Sequence, residues 1–200
     1  MKLKIRVPAT TANLGPGFDC LGLALDWWNI IEVETIDRGI QVYVDCPEGV
    51  DIPRNRNNLV VYGMEAVFRL AKRKRLPCRV RISTGIPIAR GLGSSSAAIV
   101  GGLVAANTLL DNMYSRDELV TIATRIEGHP DNVAPALLGG LMVAAMEGRQ
   151  VTVARFPVPR ELRCVLFIPD QALLTKQARG ILPKRIPRKD AVYNASRVAL

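Results

Sequence analysis

The chain has 200 residues, of which 48% are hydrophobic and 22% charged, with a formal net charge of +9. That balance excludes a disordered chain and leaves room for one large or two small domains with real cores. The longest apolar run, residues 97–106, is about half of the roughly 20 residues a membrane span needs, so no membrane partner is expected.

Met1-Lys-Leu-Lys-Ile-Arg opens on charge rather than on the apolar core of a leader peptide. Residues 2–7 alternate polar and apolar side chains, which predicts a half-buried strand. Residues 8–17, Pro-Ala-Thr-Thr-Ala-Asn-Leu-Gly-Pro-Gly, read as a turn-rich loop, and 20–25 as a strand. Residues 30–36 and 40–44 read as paired strands hinged at Asp37-Arg-Gly39. An amphipathic helix is predicted over 58–72, with Leu59, Val60, Met64, Val67 and Phe68 on one face. Its end carries the basic run 69–75, which complements the helix dipole. No aromatic side chain interleaves with that run, so no nucleic-acid partner is expected. A strand over 79–83 precedes a buried helix over 94–110. A second helix, over 115–125, opens on a Ser-x-x-Glu capping box. Residues 133–138 form a short helix before Gly139-Gly140, and strands follow over 141–145, 151–155 and 164–168. Pro157-Val-Pro159 marks a domain boundary near 157. From Asp190 a helical pattern reaches Leu200 without a cap, Gly or Pro, so the chain is expected to be cut inside a helix.

Cys20, Cys46, Cys78 and Cys164 form no Cys-x-x-Cys pair, and His129 is the single histidine, a set that disfavours zinc. Free thiols fit a cytoplasmic location.

The chemistry concentrates at Pro87, Ile88, Ala89, Arg90, Gly91, Leu92, Gly93, Ser94, Ser95, Ser96 and Ala97, between a predicted strand and a small-residue helix. Glycines let backbone approach a ligand, and the free N–H groups of a helix start favour phosphate. Serine hydroxyls add donors or a metal ligand. Neither common nucleotide loop is present: Gly-x-x-x-x-Gly-Lys-[Ser/Thr] is missing, and Ser96 stands where Gly-x-Gly-x-x-Gly needs its third glycine. A plain helix cap is the competing reading.

This stretch resembles the central motif of the GHMP kinases, the family of galactokinase and of homoserine, mevalonate and phosphomevalonate kinases. Residues 8–19 resemble the amino-terminal motif of the homoserine kinases, and 127–136 their third segment. The resemblance runs from residue 5 to about 185, with the motifs in order. The family's glycine-rich carboxy-terminal motif would lie beyond residue 200.

The resemblance implies an α+β fold whose amino-terminal, ATP-binding domain (1–156) has a left-handed β-α-β crossover. An incomplete ferredoxin-like domain (157–200) would follow. It implies ATP-dependent phosphorylation of the side-chain hydroxyl of L-homoserine, within threonine biosynthesis, with ATP and Mg²⁺ as cofactors. Asn13 and Asp19 would hold the substrate, Asp19 facing its ammonium, with His129 and Asp131 close by. Arg179 would grip the carboxylate and Thr175 reach the active site. Asn58 would touch adenine, although it also suits a helix N-cap. Asn132 would orient the hydroxyl without a dedicated base, and which of Asp131 and Asn132 faces the substrate stays open. Glu127 would hold the metal with a serine of the loop, Ser95 first among Ser94, Ser95 and Ser96, a choice that stays open. A carboxylate at the end of a helix sits against the negative end of the dipole, so Glu127 itself predicts a compensating cation. A kinase of another small alcohol, or a nucleotide- or RNA-binding module without catalysis, remains the alternative. A homodimer is compatible with the sequence.

Overall fold

The computed structural model describes residues 1–47, 50–170 and 175–200, the last segment opening with three residues, 175–177, described by backbone alone. Strands β1 (Lys2–Ala12) and β2 (Leu21–Thr35) pair antiparallel along their length, from Lys2 opposite Glu34 to Ala12 opposite Gly22. The alternation of residues 2–7 is kept, but the strand runs on to Ala12 where a loop was expected. Pro8 is tolerated there because it sits at a bulge: Pro8 faces Trp28 and Ala9 faces Leu25, leaving Asp26 and Trp27 unmatched. Residues 21–35 form one continuous strand rather than two.

Strand β3 (Ile40–Asp45) does not form the predicted hairpin with β2. It pairs in parallel with β4 (Cys78–Ser83), which itself lies antiparallel against β2. Burial explains the order. Cys78, Val80 and Ile82 of β4 enter the core, whereas Gln41 and Tyr43 of β3 remain exposed, so the more apolar strand takes the inner place. The chain passes from β3 to β4 through helix α1 (Leu59–Leu70), giving a β-α-β unit. Val60, Met64, Val67 and Phe68 are buried as predicted, and Leu59 is instead exposed.

Helix α2 (Ser94–Leu109) is apolar on every side and packs against β1, β2 and α1, with α3 (Arg116–Glu127) and α4 (Val133–Leu138) beside it. Its small residues permit close approach. A Cβ on Gly102 would lie 2.0 Å from the Val60 carbonyl oxygen, so α1 and α2 meet backbone to backbone. The hairpin of β5 (Leu141–Glu147) and β6 (Gln150–Phe156) completes a six-stranded sheet by joining the first residues of β2.

Beyond Phe156 the chain pairs with no strand among the described residues. The strand expected over 164–168 is not formed, and Val165 and Phe167 are both 93% exposed. Alternation alone does not make a strand without a neighbour to bond. Helices α5 (Thr175–Gly180) and α6 (Arg188–Ala199) follow. Among the described residues no helix is long and apolar enough to cross a membrane.

The capping box of α3 closes in both directions. Ser115 Oγ accepts from the Glu118 N–H, and the Glu118 carboxylate accepts from the Ser115 N–H at 2.8 Å. The Ser115 N–H and the Ser115 hydroxyl, which donates to the same carboxylate at 2.9 Å, hold Glu118 below the ordinary carboxylate pKa of 4.5. Because the folded pKa is lowered, the stabilisation is present above pH 4.5 and is lost as pH falls through the folded value. Ser115→Ala should lower the melting temperature by about 2–4 °C at neutral pH, with the gap to wild type closing in acid. A gap that is independent of pH would show that the charge on Glu118 contributes nothing.

Candidate active site

The start of α2 opens into a cavity of about 670 Å³. Residues 88–96 form one wall; Asn13, Asn58, Glu127, His129, Asn132 and Arg179 are among the polar residues that line the rest. Of the other predicted loop residues, Pro87 is half-buried outside the lining and Ala97 belongs to the core. The side chain of Thr175 lies outside the described residues.

The loop before α2 is wound tightly. Ala89, Gly91 and Gly93 all have φ between 54° and 69°. For Ala89 that left-handed conformation costs roughly 1–2 kcal/mol, and no side-chain polar group offsets it. Leu92 is buried and anchors the loop, while Arg90 reaches the Asp170 carbonyl. The free N–H groups of the first α2 turn face the cavity side of this loop, as an anion cradle requires.

Glu127 ends α3 directly against the start of α2. Its Oε1 accepts hydrogen bonds from Ser95 Oγ at 2.6 Å and Ser96 Oγ at 3.0 Å. The expected electrostatic misfit is therefore resolved within the protein: two hydroxyls and the positive end of the α2 dipole meet the carboxylate. Ser95 and Glu127 together offer hard oxygen donors of the kind Mg²⁺ takes, so this pair fits the ion.

A second charged group lies opposite. Asn13 and Asp19 both adopt φ of 58°, and Asn13 Oδ1 accepts from the Asp19 N–H at 2.9 Å, which folds the loop that presents Asp19. Arg179 of α5 forms a two-pronged ion pair with the Asp19 carboxylate, one arm being Nη1 to Oδ2 at 3.0 Å. Its guanidinium also lies 5.3 Å from the Phe18 ring centre. Bonding to Asp19 holds Arg179 above its ordinary pKa.

Asp131 sits beneath this pair, with its side chain wholly shielded from solvent. Its Oδ1 lies 2.5 Å from His129 Nδ1 and accepts from the Asn132 N–H at 2.9 Å. The hydrogen bond to Asp131 raises the His129 pKa against the opposing effect of burial, favouring the imidazolium. Asp131 Oδ2 is buried with no hydrogen-bond partner among the described residues. One side-chain atom each of Asp19, His129 and Asp131 lie within 4.8 Å of one another, which brings two carboxylates together beside the imidazole. Asn132 lines the cavity and Asp131 does not.

Asn58 is buried and committed to local structure. Its Oδ1 caps α1 through the Val60 N–H at 2.9 Å, and its amide donates to the Pro53 carbonyl at 2.8 Å. Two residues that the sequence reading passed over also belong here. Buried Asn29 lines the cavity and accepts from the Ile86 N–H at 3.0 Å, fixing the entry to the loop. A polar side chain inside the run Trp27-Trp-Asn-Ile-Ile31 was the available signal. Buried Thr10 bonds Asn132, and its signal was its place in the 8–19 motif.

Residues 58–140 match a family model described as the GHMP kinases N terminal domain. A homoserine kinase of Petrotoga mobilis is 44% identical over 99% of this chain and 64% of its own length. One of Caldicellulosiruptor saccharolyticus is 46% identical over the same shares. The chain thus spans just under two thirds of these relatives. The crystal structure of a homoserine kinase from Cytophaga hutchinsonii superposes with a TM-score of 0.85 at 29% identity, covering 99% of this chain and 65% of that one.

Glu127→Gln keeps the acceptor oxygen but removes the charge that Ser95 and Ser96 bond. It should destabilise the protein by about 1 kcal/mol, or about 2–4 °C in melting temperature. An unchanged or higher melting point would mean that the serine bonds do not stabilise Glu127.

Proposed function

We propose that the protein carrying this chain, whose residues 58–140 form a GHMP kinase N-terminal domain, transfers the γ-phosphoryl group of ATP to the side-chain hydroxyl of L-homoserine. Residues 1–156 bind the nucleotide in this reading, and residue 157 opens a second unit. One observation carries it. A single cavity joins a phosphate cradle at the start of α2 to the Arg179 guanidinium, which is ion-paired with the Asp19 carboxylate just outside the lining.

An α-amino acid carries the same two charges. Its ammonium replaces Arg179 at Asp19, with the orphan Asp131 Oδ2 as a further acceptor, and its carboxylate replaces Asp19 at Arg179. The side-chain hydroxyl then points along the cavity toward Asn132 and the cradle. The hydroxyl oxygen forms a bond to the γ-phosphorus while the bond to the β,γ-bridging oxygen breaks. ADP leaves, and the hydroxyl proton passes to an oxygen of the transferred group. Such a loose transition state asks for positioning and charge neutralisation more than for a strong base. Bound between Ser95 and Glu127, Mg²⁺ would supply part of that neutralisation.

ADP release, followed with L-homoserine, mevalonate and galactose side by side, should occur with L-homoserine. Release with mevalonate or galactose alone would replace the substrate, and tight RNA binding without turnover would replace the reaction. Arg179→Ala should raise the KM for homoserine roughly ten- to a hundredfold beyond any change in the KM for ATP. Equal effects on both would move Arg179 to the phosphates. Glu127→Gln should lower kcat at least ~10²-fold, and near-normal turnover at low magnesium would place the ion elsewhere.

A further inference from the structure

Thr10 is buried in β1 and does not itself line the cavity, yet it joins three pieces of the site that do. Its backbone N–H donates to the Leu92 carbonyl at 3.1 Å, tying the loop before α2 to the strand. Its hydroxyl donates to Asn132 Oδ1 at 2.7 Å, across 122 positions of sequence. Gly93 lies directly against that bond: a Cβ there would come within 1.9 Å of Thr10 Oγ1 and 3.0 Å of Asn132 Oδ1. Only glycine leaves room for the loop, the threonine and the asparagine to close on one point.

We infer that Thr10 is a positioning residue for phosphoryl transfer, fixing the amide of Asn132 and its register against the loop before α2. This inference rests on the function proposed above. With Oδ1 turned to Thr10, Asn132 offers its NH₂ group to the cavity and acts as a donor. A donor steadies the oxygen that attacks or the oxygens that are transferred. It takes no proton, which agrees with a reaction run without a dedicated base. Asn132 is gripped from its other end as well, since its N–H bonds Asp131 Oδ1 at 2.9 Å. The Thr10 hydroxyl supplies the remaining constraint, on the rotation of the amide itself.

Two substitutions separate the hydroxyl from the shape of the side chain. Thr10→Val keeps the branched volume and loses the hydroxyl; Thr10→Ser keeps the hydroxyl and loses a methyl group. Thr10→Val should lower kcat at least tenfold with the KM for homoserine changed less than threefold, and Thr10→Ser should retain at least a third of wild-type kcat. Adding Thr10→Val to Asn132→Ala should cost less than twofold further, because both changes remove one bond. Multiplying losses, or a serine variant as slow as the valine one, would overturn the inference. If the wild-type protein transfers no phosphoryl group, the proposed function fails first, and the bond is then read without turnover. The side-chain amide resonances of Asn132 should shift in Thr10→Val and stay in Thr10→Ser. Amide resonances unmoved by Thr10→Val would equally overturn it.

Discussion

Helix α2 is buried over most of its surface, and that burial fixes the point around which the site is built. Gly101 admits the Ile31 side chain of the sheet, Gly102 admits the Val60 carbonyl of α1, and Ile99, Val100 and Leu103 fill the space between. A helix packed this way cannot shift along its axis without opening cavities, which cost several kcal/mol in a close-packed interior. Its amino terminus is therefore held in place before any ligand arrives. Strain at Ala89 and the left-handed turns at Gly91 and Gly93 persist because both flanks are anchored, by buried Leu92 and by the helix itself.

The charged groups around that terminus each have an internal partner. Glu127 meets two serine hydroxyls, Asp19 meets Arg179, and Asp131 meets His129. Ligands at such a site bind by exchange rather than by filling bare charges. Exchange lowers the net gain per contact, since each new bond replaces an old one, but it keeps the groups oriented throughout. Among the described residues the exception is Asp131 Oδ2, a shielded acceptor with no hydrogen-bond partner.

Much of this was legible in the sequence because local chemistry determined it. The α3 capping box, the small-residue helix after residue 93 and the burial of Val60, Met64 and Val67 each follow from near neighbours in the chain. Pairing was less legible. The hairpin expected between residues 30–36 and 40–44 yields to β4, because strand order is decided by competing burial across the sheet. Pro8 looked like a loop residue and is a strand residue, because only the partner strand carries the bulge that accommodates it. At the site, Glu127 looked electrostatically out of place since its compensation comes from residues 31 and 32 positions away. Thr10 went unread for the same reason: its meaning lies in Asn132, across the fold.

In the function proposed above, selectivity would follow from the exchange at Asp19 and Arg179 more than from any new attraction. A substrate with both an ammonium and a carboxylate restores each bond that it displaces. A hydroxy acid without the ammonium can satisfy Arg179 only by leaving Asp19 without its partner, and an uncharged sugar satisfies neither. Sites reject analogues most strongly when their own polar groups are left unpaired. That penalty is moderated here, since the two side chains are 34% and 36% exposed and water can partly solvate a released charge. In the proposed reading Asp131 would carry the sharper share of the discrimination. Its carboxylate is fully shielded, one of its oxygens lies within 4.8 Å of an Asp19 oxygen, and no water-exposed surface would soften the loss of a cation there. In that reading an amino group would be tested most strictly at this buried residue, with the more exposed Asp19–Arg179 pair governing entry.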